Sequence, residues 1–161
     1  MSATANTTAD DQAAAIAFLS DTASYAARPA IVERAATHGA IVFLAGGEAF
    51  KMKRAVRLPY LDFSTLERRR AVLERELAIN RLQAPEIYLG VSAITRERGG
   101  RLAFDGAGEP IEWVLRMRRF AEDAVLSEVA KQGPLAPELA RDLAAAVHRF
   151  HVSATVAQGV P

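Results

Sequence analysis

Ala40 to Arg54, AIVFLAGGEAFKMKR, decides the fold. AIVFLA is a short apolar run bounded by glycines, the pattern of a buried strand. Gly46-Gly47 is a two-residue hairpin signal. Glu48 to Arg57 then alternates, so an antiparallel hairpin is expected. Alternation places Phe50, Met52 and Val56 on one face, and Ala49, Lys51, Lys53 and Ala55 on the other. Two lysines on one face, flanked only by alanines, describe a positive floor with room above it. A flat ligand carrying phosphates suits such a floor; a solvated sheet face gives the same pattern.

Downstream, Pro59 to Phe63 reads as a linker. Ser64-Thr65-Leu66-Glu67 matches the capping box, in which hydroxyl and carboxylate satisfy orphan amides reciprocally. The helix it opens should run to about Gln83, before Pro85. Its two central glutamates face differently. Glu74 has Arg70, Ala71 and Ala78 at helical spacing, a solvent face. Glu76 has Val72, Leu73, Ile79 and Asn80 and should point toward the body of the protein. A carboxylate there needs a positive partner, and Lys51 or Lys53 is the natural candidate.

The remaining pattern is strands at Ile87–Thr95, Leu102–Phe104 and Ile111–Phe120, with turns at Gly99-Gly100 and at Asp105 to Pro110. Helices are expected over Glu122–Lys131 and over Pro137 to about Ala157. Before the hairpin, residues 1–9 read as a tail, Asp10–Tyr25 as a helix, and Ala30–His38 as a second helix ended by Gly39. Segregated strands and helices argue an α+β fold with an antiparallel sheet.

Composition narrows the function. The chain has 161 residues, enough for a real core. It has no cysteine, which excludes thiol nucleophiles, disulfide scaffolds and Cys-ligated metals. The net charge of +1 provides no global field for nucleic acid or an anionic membrane. No apolar run approaches the ~20 residues of a membrane span, and the N-terminus lacks the pattern of a secretory signal. A soluble, cytoplasmic protein is expected. Only Lys51, Lys53 and Lys131 are lysine among 20 basic residues. A site that needs a compact point charge would keep Lys where the rest of the surface is Arg.

A strand lysine followed by a helix glutamate is the arrangement by which kinases hold the α/β-phosphates of ATP. The stretch AFKMKRAVRLPYLDFSTLERRRAVLERELAINRLQAPEIYLGVSAIT, residues 49–95, resembles the N-terminal lobe of the bifunctional aminoglycoside-phosphotransferase-like/ATP-binding protein family. EWVLRMRRF at 112–120 and ELARDLAAAVHRFH at 138–151 extend the similarity, which spans roughly residues 35–152. The resemblance implies a protein-kinase-like N-lobe over 40–120, after a helical extension over 1–39. Residues 121–161 would be the first helices of an incomplete C-lobe. It implies ATP and Mg²⁺ as cofactors, a small-molecule acceptor that it does not identify, and the missing C-lobe as partner. A P-loop NTPase domain accompanies the lobe in many members.

Carried over by position, Glu76 resembles the kinase helix glutamate. Ala49-x-Lys51 looks like the Ala-x-Lys of many kinases. Lys53-Arg54 looks like the Lys/Arg-Arg-Pro of aminoglycoside-type kinases, with Ala55 in place of proline. Both lysines stay open, with Lys53 preferred. Trp113 to Met117 looks like the strand entering the hinge. Backbone groups near Arg116 and Met117 would then meet the adenine edge, with Val114, Leu115 and Met117 as partial wall.

The departures are equally informative. There is no G-x-G-x-x-G and no G-x-x-x-x-G-K-[ST]. Nothing after the last helix supplies a catalytic Asp, a metal-binding Asn or a second Asp. The expectation is an ATP-binding lobe, a fragment without its catalytic loop or metal ligands. The alternatives are a non-catalytic interaction or regulatory module of a multidomain ATPase, and an RNA-binding domain using Arg68-Arg69-Arg70 and Arg116, Arg118 and Arg119. His148 and His151 have metal-compatible spacing but no accompanying carboxylate set, so packing or capping is their default.

Overall fold

The glycine hairpin forms where the pattern places it. In the computed structural model, which describes residues 9–154, β2 (Ala40–Ala45) and β3 (Glu48–Lys53) pair antiparallel with Ala45 opposite Glu48. Gly46 turns the chain with φ of 60°, a left-handed conformation that favours glycine. The hairpin belongs to a six-stranded antiparallel sheet, so the fold is α+β. The other strands are β1 (Val32–Ala36), β6 (Tyr88–Arg96), β7 (Leu102–Phe104) and β8 (Glu109–Arg118). The spatial order is β1-β2-β3-β8-β6-β7. A separate two-stranded ribbon pairs β4 (Arg57–Leu58) with β5 (Leu61–Asp62).

Four helices complete the described residues: α1 (Ala9–Ser20), α2 (Leu66–Arg81), α3 (Leu126–Lys131) and α4 (Pro137–Ser153). The first expected helix ends at Ser20, and a 3₁₀ turn at Thr22–Ser24 follows, capped by Asp21. Glu122–Lys131 likewise divides into a 3₁₀ turn at Glu122–Ala124 and α3. Residues 1–8 of the expected tail and the end of the last expected helix, from residue 155, lie outside the described residues.

Four further sequence expectations are corrected. Ala30–His38 is not a helix: Val32–Ala36 is a strand paired with Ile41–Ala45. The apolar edge of β2 offers a full ladder to this segment, and tertiary pairing overrides a weak alanine-based propensity. The helical extension therefore stops short of residue 32. The linker at Pro59–Phe63 carries the β4–β5 ribbon, and β3 ends at Lys53, so Val56 is outside it. The capping box also shifts by one residue. Thr65 is the N-cap of α2, its hydroxyl accepting from Arg68 N at 3.3 Å, while Ser64 donates to Asp62 through both N and Oγ. The short Asp62 side chain captures Ser64 locally and leaves Thr65 to satisfy the helix.

The chain forms two units, one through Arg119 and one from Phe120. In the first, α1 buries Ala15 and Leu19 against Phe43, Phe50, Met52, Ile94 and Val114. Tyr25 closes this core, its hydroxyl donating to Leu19 O at 2.5 Å. α2 packs on the opposite face over β6 and β8, with Leu73 and Leu115 fully buried. The second unit holds α3 and α4, and Leu139, Leu143 and Val147 form an exposed stripe along α4. Among the described residues no helix is long and apolar enough to cross a membrane.

Candidate functional site

The two faces of β3 are set by its register. Phe50 and Met52 lie opposite Phe43 and Ile41 in the α1 core. Lys51 and Lys53 lie opposite Val42 and Ala40 on the other face. Directly opposed residues of an antiparallel pair share a face. The lysine side therefore carries two cross-strand rows: Leu44, Ala49 and Met117, then Val42, Lys51 and Leu115.

α2 delivers the carboxylate. Arg69, Leu73 and Glu76 are spaced four and three residues apart and so share its inner side. Glu74 points out and pairs with Arg70 at 2.8 Å. Glu76 receives both lysines: Lys51 Nζ donates to Oε1 at 2.6 Å and Lys53 Nζ to Oε2 at 2.9 Å. Burial alone would raise the Glu76 pKa. The hydrogen bonds and charges of Lys51 and Lys53 outweigh that cost and hold the carboxyl below its ordinary range. Lys51 is the more open cation, with 26% of its side chain exposed against 11% for Lys53. Lys53 also lies over the Phe63 ring, 5.4 Å from its centroid.

Above the lysines is a cavity of about 420 Å³. Lys51, Lys53, Val42 and Ala35 are among the residues that line it on the sheet side, the β1–β2 turn Thr37-His38-Gly39 forms its rim, and Leu61 and Phe63 line it too. The turn is held from outside: Arg54 N donates to Gly39 O at 3.0 Å and Arg54 Nη1 to Thr37 O at 3.1 Å. Thr37 N donates to Ala40 O at 2.8 Å. The N–H groups of His38 and Gly39 have no partner among the described residues. Sequence reading missed this rim because it assigned the segment to a helix. Gly39, taken as the end of that helix, stands instead in the turn between two paired strands.

The residues expected near a hinge, Arg116 and Met117, lie at the end of β8. The Met117 side chain lies on the lysine face, in the row with Ala49. Arg116 alternates to the other face, forks onto Glu48 at 2.9 and 3.1 Å and stacks 5.8 Å over Phe50. Both residues sit inside the ladder, between β3 and β6, so their backbone is flanked by protein on both sides. Val114 faces the α1 core, whereas Leu115 is on the lysine face.

The arginine clusters are spent within the protein. Arg68 pairs with Asp62, Arg69 with Glu112 and Arg119 with Glu33. Arg70 lies 4.4 Å over Trp113 as well as against Glu74, and Arg118 Nε donates to Glu86 O. His148 and His151 are exposed on α4, and no group of three His, Cys, Asp or Glu fit to hold a metal occurs among the described residues.

Similarity to curated proteins extends over 116 residues. An uncharacterized protein of Mycobacterium bovis and uncharacterized proteins of two Mycobacterium tuberculosis strains are each 36% identical to this chain over 71% of its length. The matched region is 21% of each relative, so the chain spans about a fifth of the curated relatives it matches. No family model and no solved structure matches it.

Proposed function

We propose that this chain is the ATP-binding lobe of a kinase-like phosphotransferase. One observation carries the reading: Glu76 of the helix after β3 holds Lys51 and Lys53 of β3 at 2.6 and 2.9 Å beside an open cavity. Kinases use a lysine on the third strand, paired with a glutamate of the following helix, to hold phosphates. The neighbouring features fit the rest of a nucleotide. The apolar Val42, Leu61 and Phe63 line the same cavity as the lysines and offer a surface for a flat ring. The amides of His38 and Gly39, without a partner among the described residues, can donate to phosphate oxygens at the rim.

Within this reading Lys51 is the phosphate contact, because it is the more exposed lysine. Lys53 buttresses Glu76. Glu76 itself touches no substrate: it fixes the lysine heads so that they need not reorganise when phosphate arrives. Mg²⁺ would neutralise the phosphates when bound with ATP. Its carboxylate ligands and the base for an acceptor hydroxyl are assigned to polypeptide outside this chain, in a protein of the relatives' length. The acceptor is a small molecule whose identity depends on that remainder.

Titration of the purified chain with Mg-ATP tests the proposal. Weak, saturable binding that is lost in Lys51→Met and Glu76→Gln is expected. No binding by the wild type, or equal binding by the variants, overturns it.

A further inference from the structure

The site is braced from behind by a polar chain that begins at the half-buried Gln12 of α1 and ends in the fully buried Glu112 and Arg69. Gln12 Nε2 donates to Glu112 Oε2 at 2.9 Å and to the carbonyl of Lys53 at 3.3 Å. Gln12 Oε1 accepts from Ala55 N at 2.8 Å. One amide therefore grips the backbone on both sides of the β3 exit, at the lysine that holds Glu76. Glu112, fully buried on β8, receives Arg69 Nε on both oxygens at 3.0 Å and Trp113 N at 2.9 Å. Arg69, fully buried on α2, also donates to Phe63 O at 3.0 Å, and Phe63 lines the cavity. The chain thus joins α1, β3, β8 and α2.

Its cost argues for a purpose. Arg69 Nη2 is buried with no partner among the described residues. An apolar trio would fill this volume without desolvating two charges, and buried ion pairs are best attested as devices that set register. What is registered here is the β3 exit and the inward side of α2, the two elements that bring Lys53 and Glu76 together.

We propose that Gln12 is a positioning residue and α1 a latch: by tying Lys53 O and Ala55 N to Glu112, and through it to Arg69, it holds the lysine–glutamate cluster preassembled. α2 is then pinned inward in the absence of nucleotide. The proposal rests on the ATP-binding reading only for its benefit to the ligand; the bracing of Glu76 is independent of it.

The test uses Gln12→Ala and Gln12→Glu in the whole chain. Docking of α1 depends on Ala15, Leu19 and Tyr25, so both variants keep the far-ultraviolet spectrum and a cooperative melt. Gln12→Glu keeps an acceptor for Ala55 N, loses both donations and sets a second carboxylate against Glu112, whereas Gln12→Ala releases the latch without adding charge, so a shift common to both variants reports the latch. The first readout is the Glu76 carboxyl, followed by carbon NMR as pH is lowered. The groups facing it are Lys51 and Lys53 from β3. In both variants its midpoint should move up toward the ordinary carboxylate range. The second readout is Mg-ATP affinity, expected to fall about fivefold, the scale of one lost hydrogen bond. An unmoved Glu76 midpoint in both variants overturns the latch. A wild type that ignores Mg-ATP while the midpoint shifts in the variants overturns the nucleotide reading and leaves the latch supported.

Discussion

Arg69 and Glu76, seven residues apart on the same side of α2, are bound in opposite senses to two different strands: Arg69 to the carboxylate of Glu112 on β8, Glu76 to the ammonium groups of Lys51 and Lys53 on β3. The helix is therefore fixed at two points by charge, with the fully buried Leu73 between them. A rotation of α2 would break both pairs together.

Glu76→Gln removes the charge and keeps the shape. Lys51 and Lys53 then face each other with a neutral amide between them. Because the cluster is only partly exposed, the loss in unfolding free energy should be about 2 kcal/mol, below the cost of breaking a fully buried pair. Urea denaturation measures it. A change within error would mean the carboxylate carries no net stabilisation.

Lys51 and Lys53 should separate by readout. Lys51→Met, at the more exposed cation, is expected to abolish Mg-ATP binding while costing about 1 kcal/mol of stability. Lys53→Met, at the more buried one, should cost more stability and weaken nucleotide less. Paired melting and nucleotide titrations decide the order, and a reversed order would exchange their roles.

Breaking the buried pair should be the most damaging change. Glu112→Leu leaves the Arg69 guanidinium buried without its anion and should cost about 3–5 kcal/mol. The double variant Arg69→Met with Glu112→Leu should recover part of that loss. Equilibrium unfolding of the two single variants and the double variant gives the coupling; simple additivity would show that the pair does not act as a unit.

Stability should fall on the acid side. Glu76 is held below its ordinary range, so its contribution is complete above that range and is lost as pH drops through the lowered value. Asp62 and Glu97 are lowered too, Asp62 by hydrogen bonds from Ser64 and Arg68 and Glu97 by Thr95 and Gly108, and they share this acid limb. Glu76→Gln should therefore flatten the melting-temperature profile below about pH 4.5 without removing it. An unchanged profile would place the acid sensitivity elsewhere.

Thr65→Ala should cost about 1 kcal/mol through the lost N-cap of α2. Ser64→Ala releases Asp62 and leaves the cap in place, so its effect should be smaller. Thermal denaturation of the two variants distinguishes the one-residue shift of the cap from the alternative start at Ser64.

Much of the site was legible without coordinates because it depends on short periods. An alternation of two is enough to put Lys51 and Lys53 on one face, and a period of 3.6 is enough to turn Glu76 inward and Glu74 outward. The glycine pair at 46–47 and the apolar run before it specify a hairpin locally. These features need only neighbouring residues, so sequence alone determined the β3 lysine face, the helix that follows it and the α+β class.

Other features depended on residues far apart in the chain. Val32–Ala36 has no strong pattern of its own and becomes a strand because Ile41–Ala45 offers it a ladder. Arg69 is one of three consecutive arginines, yet it alone is fully buried, because Glu112 stands 43 positions away to receive it. Gln12 reaches the exit of β3 across 41 positions. The rim at Thr37–Gly39, the choice of Thr65 as cap and the exclusion of Arg116 from the lysine face likewise emerged from pairing and packing. Only the tertiary structure decided them, since hydrogen bonding and desolvation act between whichever groups the fold brings together, and chain-local periodicity carries no record of those partners.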